Sequence, residues 1–169
     1  MLSLVGLGLG TTKDVTLRGV EVVRSADEVY LETYTSSMQA TVEDLEKIFG
    51  KKITPVDRDF VERQLGKLVD AACDAHIALL VIGSPMAATT HFEFILEAEK
   101  KGVAWQIVEN ASVLTAVGIT GLSLYKFGRT TTIPYENKEI RTPYESYLAN
   151  KKAGLHTLFL LDITPGKMM

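Results

Sequence analysis

Short apolar runs alternate with amphipathic segments along most of the chain. The predicted strands cover residues 1–6, 28–32, 53–56, 77–83 and 103–108, and the predicted helices cover 15–24, 41–49, 59–72 and 92–101. Residues 77–82 are wholly apolar, which is typical of a central strand that is buried on both faces. Strands that alternate with helices in this way predict an α/β fold, in which helices flank both faces of a parallel sheet.

The pattern becomes irregular after residue 110. Residues 116–121 are mostly small, and a polar, proline-containing stretch over 130–143 indicates a junction between domains. A last helix over 144–152 and a β-branched, apolar strand over 156–163 follow. We therefore expect an N-terminal α/β domain over residues 1–128, and then a linker and the first elements of an incomplete second α/β domain over 129–169.

The amino-acid composition limits the classes of protein to which the chain can belong. With 46% hydrophobic and 23% charged residues among 169, the chain is expected to be globular rather than disordered. A formal net charge of −3 gives no strong field that would draw it to nucleic acid or to an anionic membrane. Cys73 is the single cysteine and the three histidines are far apart, so we expect no disulfide, no structural metal and a cytoplasmic location. No apolar run approaches the roughly 18–20 residues that cross a bilayer.

Three glycines follow the first predicted strand. Gly6, Gly8 and Gly10 alternate with apolar residues, and a backbone without Cβ atoms can approach a ligand closely at the carboxyl edge of a parallel sheet. The dinucleotide-binding fingerprint would need a further glycine at position 11 or 13, where the chain has Thr11 and Lys13. A pyrophosphate site is therefore disfavoured, and a ligand site and a simple loop requirement remain as alternatives.

A second loop, over residues 83–91, lies between a buried strand and a helix. Loops in this position often carry function. Turn chemistry explains the same residues equally well, because Pro85 sets φ, Thr89 or Thr90 can cap the helix, and His91 would lie in the first turn on a solvated face. Both interpretations remain open on this pattern alone.

Other polar residues are weaker candidates for a functional role. Glu32 ends the second predicted strand, where a nucleotide-binding α/β protein would hold a ribose hydroxyl. Residues 110–113 offer amide and hydroxyl partners after the fifth strand. His76 precedes an apolar strand and is predicted to be structural, and Cys73 has no neighbouring base that would make it a nucleophile.

Seven segments, which keep the order and spacing that they have in one known family, carry a resemblance to it: residues 1–10, 13–19, 29–36, 88–91, 110–112, 121–128 and 154–163. Together they resemble the diphthine synthases, the S-adenosylmethionine-dependent methyltransferases of diphthamide biosynthesis, which have a tetrapyrrole-methylase-like fold. The resemblance implies two α/β domains with the cofactor bound between them. It also implies methylation of the modified histidine of translation elongation factor 2, release of S-adenosylhomocysteine, and a homodimer.

The resemblance places the cofactor-binding positions, most of them acting through backbone groups and shape, but assigns no catalytic residue and no metal. They are Leu9, Ser84, Ala87, Ser112, Val113 and Leu161. The implied chemistry is an in-line displacement at the methyl group, in which the protein mainly orients the reactants and excludes water. His91 is a weak candidate for a general base. Replacing Gly8 with valine is expected to abolish cofactor binding without unfolding the protein.

The sequence of this chain differs from the usual pattern of the family in two ways. The family's second loop usually reads Gly-Asp-Pro-Phe-Gly-Ala-Thr-Thr-His, and this chain has Ser84, Met86 and Ala87 at the aspartate, aromatic and second glycine positions. The substitution at Ser84 removes a charge-assisted contact. The family also continues through most of a second domain. The alternative function is therefore a truncated or degenerate, non-catalytic homologue that acts as a binding module. A nucleotide-binding domain that uses Glu32 is a more distant third.

Overall fold

The computed structural model describes residues 1–87, 91–135 and 139–163, except for the side chains of residues 62–64. The chain divides into two compact units, Met1–Ser112 and Val113–Met169, which we call the first and the second unit. Among the described residues, no helix combines the length and the apolar character needed to cross a membrane. In the same part of the chain, no three His, Cys, Asp or Glu side chains are grouped so that they could hold a metal ion.

The first unit is built on one parallel sheet. Its strands are β1 (Leu2–Gly6), β2 (Glu28–Glu32), β3 (Thr54–Val56), β4 (Ile77–Val81) and β5 (Trp105–Val108), in the order β3-β2-β4-β1-β5. Its helices are α1 (Leu17–Ser25), α2 (Val42–Phe49), α3 (Arg58–Asp74) and α4 (Phe92–Lys101). Every residue of β4 is buried, which confirms the predicted central strand. The α/β class predicted from the alternation is confirmed as well.

Capping residues decide where the helices begin. The Thr16 hydroxyl accepts the N–H of Gly19 at 3.0 Å, and α1 therefore begins after the predicted residue 15. The Asp57 carboxylate accepts the N–H of Phe60 at 2.8 Å, and α3 therefore begins before the predicted residue 59. The hydrophobic periodicity shows that a helix exists, whereas the cap fixes its first residue.

The helices cover both faces of the sheet and determine where its connections diverge. α1 and α2 pack with Val5 and Leu80 on one face, and α3 and α4 pack with Leu4 and Leu79 on the other. The connection that leaves β1 therefore runs over one face, and the connection that leaves β4 runs over the opposite face. Because β1 and β4 are neighbours, their carboxyl ends form the switch point at which open α/β sheets bind ligands.

The second unit contains a small parallel sheet. Its elements are α5 (Val113–Ala116), β6 (Thr131–Ile133), α6 (Thr142–Lys152) and β7 (Phe159–Leu161), and β6 pairs with β7. β6 lies inside the polar stretch 130–143, for which no strand is predicted. Two of its three residues are threonines and its neighbours in the sequence are polar or proline, so no apolar run predicts a strand there.

The backbone around residue 128 belongs to the second unit. The N–H of Gly128 donates to the carbonyl oxygen of His156 at 2.9 Å, and the N–H of His156 donates to the carbonyl oxygen of Lys126 at 2.7 Å. The Asn150 side chain adds two hydrogen bonds to the backbone of Arg129, at 2.9 and 3.0 Å. The compact units therefore divide after residue 112, earlier than the predicted domain boundary after 128, which stays a prediction.

Candidate functional site

Three loops meet at the carboxyl edge of the first unit's sheet. The first loop (residues 7–16) follows β1, and the third loop (109–112) follows β5. The second loop follows β4 and is described at residues 82–87 and 91, so the predicted caps Thr89 and Thr90 lie outside the described residues. Their strands are adjacent and parallel, so the loops leave the sheet side by side. The N–H of Gly8 donates to the carbonyl oxygen of Gly83 at 3.2 Å, and the N–H of Gly83 donates to that of Gly8 at 2.9 Å. This pair of bonds ties the first loop to the second at the switch point.

The glycines after β1 are required by the packing of these loops. A Cβ atom at Gly6 would lie 2.7 Å from the carbonyl oxygen of Gly83. At Gly8, whose φ is +79°, it would lie 2.8 Å from the Cβ of Asp14, and at Gly10 it would lie 2.6 Å from the Asp14 carboxylate. The loop therefore requires glycine at Gly6 and Gly8, whereas at Gly10 a side chain would displace the Asp14 carboxylate from its hydrogen bond with the Thr11 N–H. The expectation that valine at Gly8 abolishes binding without unfolding the protein stays a prediction, and the structure adds that the side chain would strain the first loop.

Asn110 fixes the third loop to the first. Its side-chain amide donates to the carbonyl oxygens of Gly6 and Asp14, at 3.0 Å each, and its side-chain oxygen accepts the N–H of Ala111 at 2.7 Å. The predicted polar segment 110–113 therefore contains a clamp between loops. The clamp holds the backbone at the switch point in one conformation.

Four of the six predicted cofactor positions lie on these loops: Leu9, Ser84, Ala87 and Ser112. Leu9 is 38% exposed, whereas Ser84 and Ser112 are 7% and 8% exposed. The Leu9 side chain and the Ala111 carbonyl oxygen lie 3.6 and 3.8 Å from the point that a Cβ atom of Gly83 would occupy. The first unit thus brings the three loops together around Gly83.

The other two predicted positions lie in the second unit. Val113 begins α5 and is 39% exposed, and Leu161 ends β7 and is 53% exposed. Both side chains are accessible to a ligand within that unit. Their part in a cofactor site stays a prediction.

Glu109 is a candidate residue that the sequence patterns do not single out. The Ser84 hydroxyl donates a hydrogen bond to its carboxylate, so the second and third loops are also joined by side chains. Glu109 is exposed, whereas Ser84 is buried. The feature of the sequence that could have identified Glu109 is its position directly after β5 and before Asn110, at the edge of the sheet where ligands bind.

Glu32, the last residue of β2, and His91, the last residue of the second loop, form a buried pair. Their side chains are both 0% exposed, and Nε2 of His91 lies 3.6 Å from Oε2 of Glu32. The Glu32 carboxylate accepts the N–H groups of Tyr34 and Thr35 at 2.8 and 2.6 Å, and the Thr35 hydroxyl at 2.5 Å. Glu32 is therefore not available to a ribose, and the interpretation as a nucleotide site is wrong. His91 does not lie on a solvated face and is too buried to serve as a general base.

The stability of the fold is expected to depend on pH through His91. Burial lowers the pKa of His91 below its usual 6.5, although Glu32 and a hydrogen bond to the Pro85 backbone raise it. As the pH falls below about 6.5, the unfolded chain takes up this proton before the folded one, so the free energy of unfolding falls, by at most about 1.4 kcal/mol per pH unit. Urea denaturation between about pH 5 and 7.5 should show a shallower dependence for His91→Gln. Equal slopes in both proteins would contradict this origin.

Comparison with known proteins places this geometry in a family. The family model described as "Tetrapyrrole (Corrin/Porphyrin) Methylases" matches residues 1–167. The chain belongs to the tetrapyrrole methylase family. The match extends across both compact units, so the three loops and the small second sheet are parts of one methylase chain.

Within the methylase family, the chain is similar to enzymes of one kind. It is 43% identical to "Diphthine synthase" of Archaeoglobus fulgidus over 99% of this chain, and 43% identical to "Diphthine methyl ester synthase" of Homo sapiens over 96%. A solved structure described as "Crystal structure of diphthine synthase" matches 99% of this chain and 66% of that one, with a TM-score of 0.94 and 43% identity. The chain spans 66% of the archaeal relative and 58% of the human one.

Proposed function

We propose that this chain is the cofactor-binding part of a diphthine synthase, which methylates the modified histidine of translation elongation factor 2 with S-adenosylmethionine. One observation carries the proposal. The three loops that meet at the β1/β4 switch point belong to a fold that follows a diphthine synthase over nearly the whole chain. The names of the relatives support the activity. We propose the elongation-factor substrate, a homodimer and a cytoplasmic location together with it, as the resemblance implies.

The residues at the switch point fit such a cofactor. Leu9 presents an apolar side chain that can cover an adenosine, and the buried Ser112 follows Ala111 on the third loop, whose carbonyl oxygen lies near Gly83 as the Leu9 side chain does. Glu109 adds an exposed carboxylate, which suits a ligand that carries positive charge. We propose Leu9, Ser84, Ala87 and Ser112 as the first unit's cofactor residues, with Val113 and Leu161 from the second unit.

Methyl transfer requires these side chains mainly to position the reactants. When bound, S-adenosylmethionine would supply a methyl group on a sulfonium sulfur. The accepting nitrogen must first lose its proton to solvent or to a base, and it would then attack the methyl carbon in line with the C–S bond, which breaks to release S-adenosylhomocysteine. The bonds among Gly8, Gly83 and Asn110 hold the loop backbone in place before a ligand arrives, which reduces the ordering cost of binding. A non-catalytic binding module is not favoured, because the relatives are named as synthases.

Isothermal titration with S-adenosylmethionine and S-adenosylhomocysteine tests the proposal. We expect the chain to bind both with micromolar affinity, and Leu9→Ser to weaken both about tenfold, because the ligand then loses an apolar surface. Leu96→Ser is the matched control, since Leu96 is 47% exposed on α4, and its affinity should equal that of the unchanged protein. Absence of binding by the folded, unchanged chain would refute the proposed function.

A further inference from the structure

Glu109 has a fixed position at the carboxyl edge of the sheet, directly after β5. It follows Val108, which is 3% exposed at the end of β5, and precedes Asn110, whose amide is bonded to two carbonyl oxygens of the neighbouring strand and loop. The Glu109 backbone is therefore held on both sides. Its side chain is bonded in turn by the Ser84 hydroxyl from the second loop.

No basic side chain among the described residues neutralises the charge on Glu109. In the described part of the chain, the lysine, arginine and histidine ion pairs involve other carboxylates, and the recorded side-chain partner of Glu109 is the neutral hydroxyl of Ser84. A hydroxyl donates one hydrogen bond to a carboxylate, which leaves lone pairs on both oxygens. A fixed carboxylate of this kind can accept a hydrogen bond from a cationic ligand group at little ordering cost.

We propose that Glu109 is a specificity-determining residue that binds the ammonium group of the ligand, with Ser84 orienting its carboxylate. This inference rests on the proposed function and names the part of the cofactor that Glu109 recognises. A carboxylate pairs with an ammonium group through a charge-assisted hydrogen bond, whereas a sulfonium centre has no proton to donate. Both S-adenosylmethionine and S-adenosylhomocysteine carry the ammonium group, and only the former carries the sulfonium. Glu109 therefore contributes equally to the binding of both.

The first variant is Glu109→Gln, which keeps the shape and an acceptor for Ser84 but removes the charge. We expect it to raise Kd about tenfold for both ligands in isothermal titration, with a smaller effect at high salt because exposed charges are screened. Glu21→Gln is the matched control, because Glu21 is exposed on α1 and the substitution makes the same change in net charge. Its Kd values should equal those of the unchanged protein.

A second, double variant places the carboxylate at residue 84 instead of residue 109. Ser84→Asp combined with Glu109→Gln returns one negative charge to the same contact, and we expect it to recover most of the affinity that Glu109→Gln loses. Ser84→Asp alone places two carboxylates side by side and should lower the melting temperature. Recovery by the double variant separates a role in charge recognition from a role in loop packing.

The outcomes are distinguishable. If the unchanged chain binds neither ligand, the proposed function fails, and this inference fails with it. If it binds both and Glu109→Gln binds them with unchanged Kd at the same melting temperature, the proposed function stands and the role of Glu109 is overturned. A loss confined to S-adenosylmethionine would overturn the assignment to the ammonium group, because it would point to the sulfonium instead.

Discussion

Replacing Gly6 with valine is expected to lower the free energy of unfolding by about 3 kcal/mol or more, or to prevent folding of the first unit. The first atom of the new side chain would lie 2.7 Å from the carbonyl oxygen of Gly83, 2.9 Å from the Cβ of Asn110 and 3.0 Å from the Cδ of Pro85. None of these atoms is the end of a flexible side chain. They belong to two other loops, so relief of the clash would separate the loops at the switch point.

Urea denaturation followed by circular dichroism measures this loss, and a pair of glycines gives its control. Gly8 and Gly50 both have positive φ, +79° and +65°, but only Gly8 has neighbours within 4 Å of an added Cβ atom. Gly50→Ala should therefore cost only the conformational strain, about 1 kcal/mol, and Gly8→Ala should cost clearly more. A Gly6→Val protein as stable as Gly50→Ala would contradict the packing role of Gly6.

The fold was predictable where the physical cause is local. Alternation of apolar runs and amphipathic segments reports which face of each element is buried, and this predicts the five strands and four helices of the first unit. Parallel strands end at one edge, so the loops after β1, β4 and β5 were predictable as neighbours. β6 was not predicted, because its three residues form a strand only by pairing with β7, which lies far along the chain.

The candidate site was less predictable because its contacts join residues that are distant in sequence. Glu32 is buried beside His91, and nothing near either residue in the sequence indicates that the two are neighbours. The sequence shows a serine in the second loop, but only the structure shows that this hydroxyl meets Glu109. The same holds for the glycines, because the atoms that exclude a side chain at Gly6 come from other loops.

Replacing Glu32 with alanine is expected to lower the free energy of unfolding by about 3 kcal/mol. The substitution removes the acceptor of the Tyr34 and Thr35 N–H groups and of the Thr35 hydroxyl, and it leaves a space beside the buried ring of His91. The two N–H groups would lose a charged partner, and hydrogen bonds to charged groups are the stronger ones. Glu32→Gln should cost less, since an amide oxygen can still accept one of these bonds.

A control on the same strand and a double variant separate the causes of this loss. Glu28 also lies in β2, but it is exposed and bonded to the Tyr30 hydroxyl, so Glu28→Ala should change the urea midpoint far less than Glu32→Ala. If the buried pair stabilises the turn as one network, the losses of Glu32→Ala and His91→Gln will not add in the double variant, because neighbours that share a network are coupled. Additive losses, or equal losses at Glu28 and Glu32, would mean that the turn at residues 33–35 is held by its own backbone. His91 would then fill space at the end of the second loop without fixing the position of the loop.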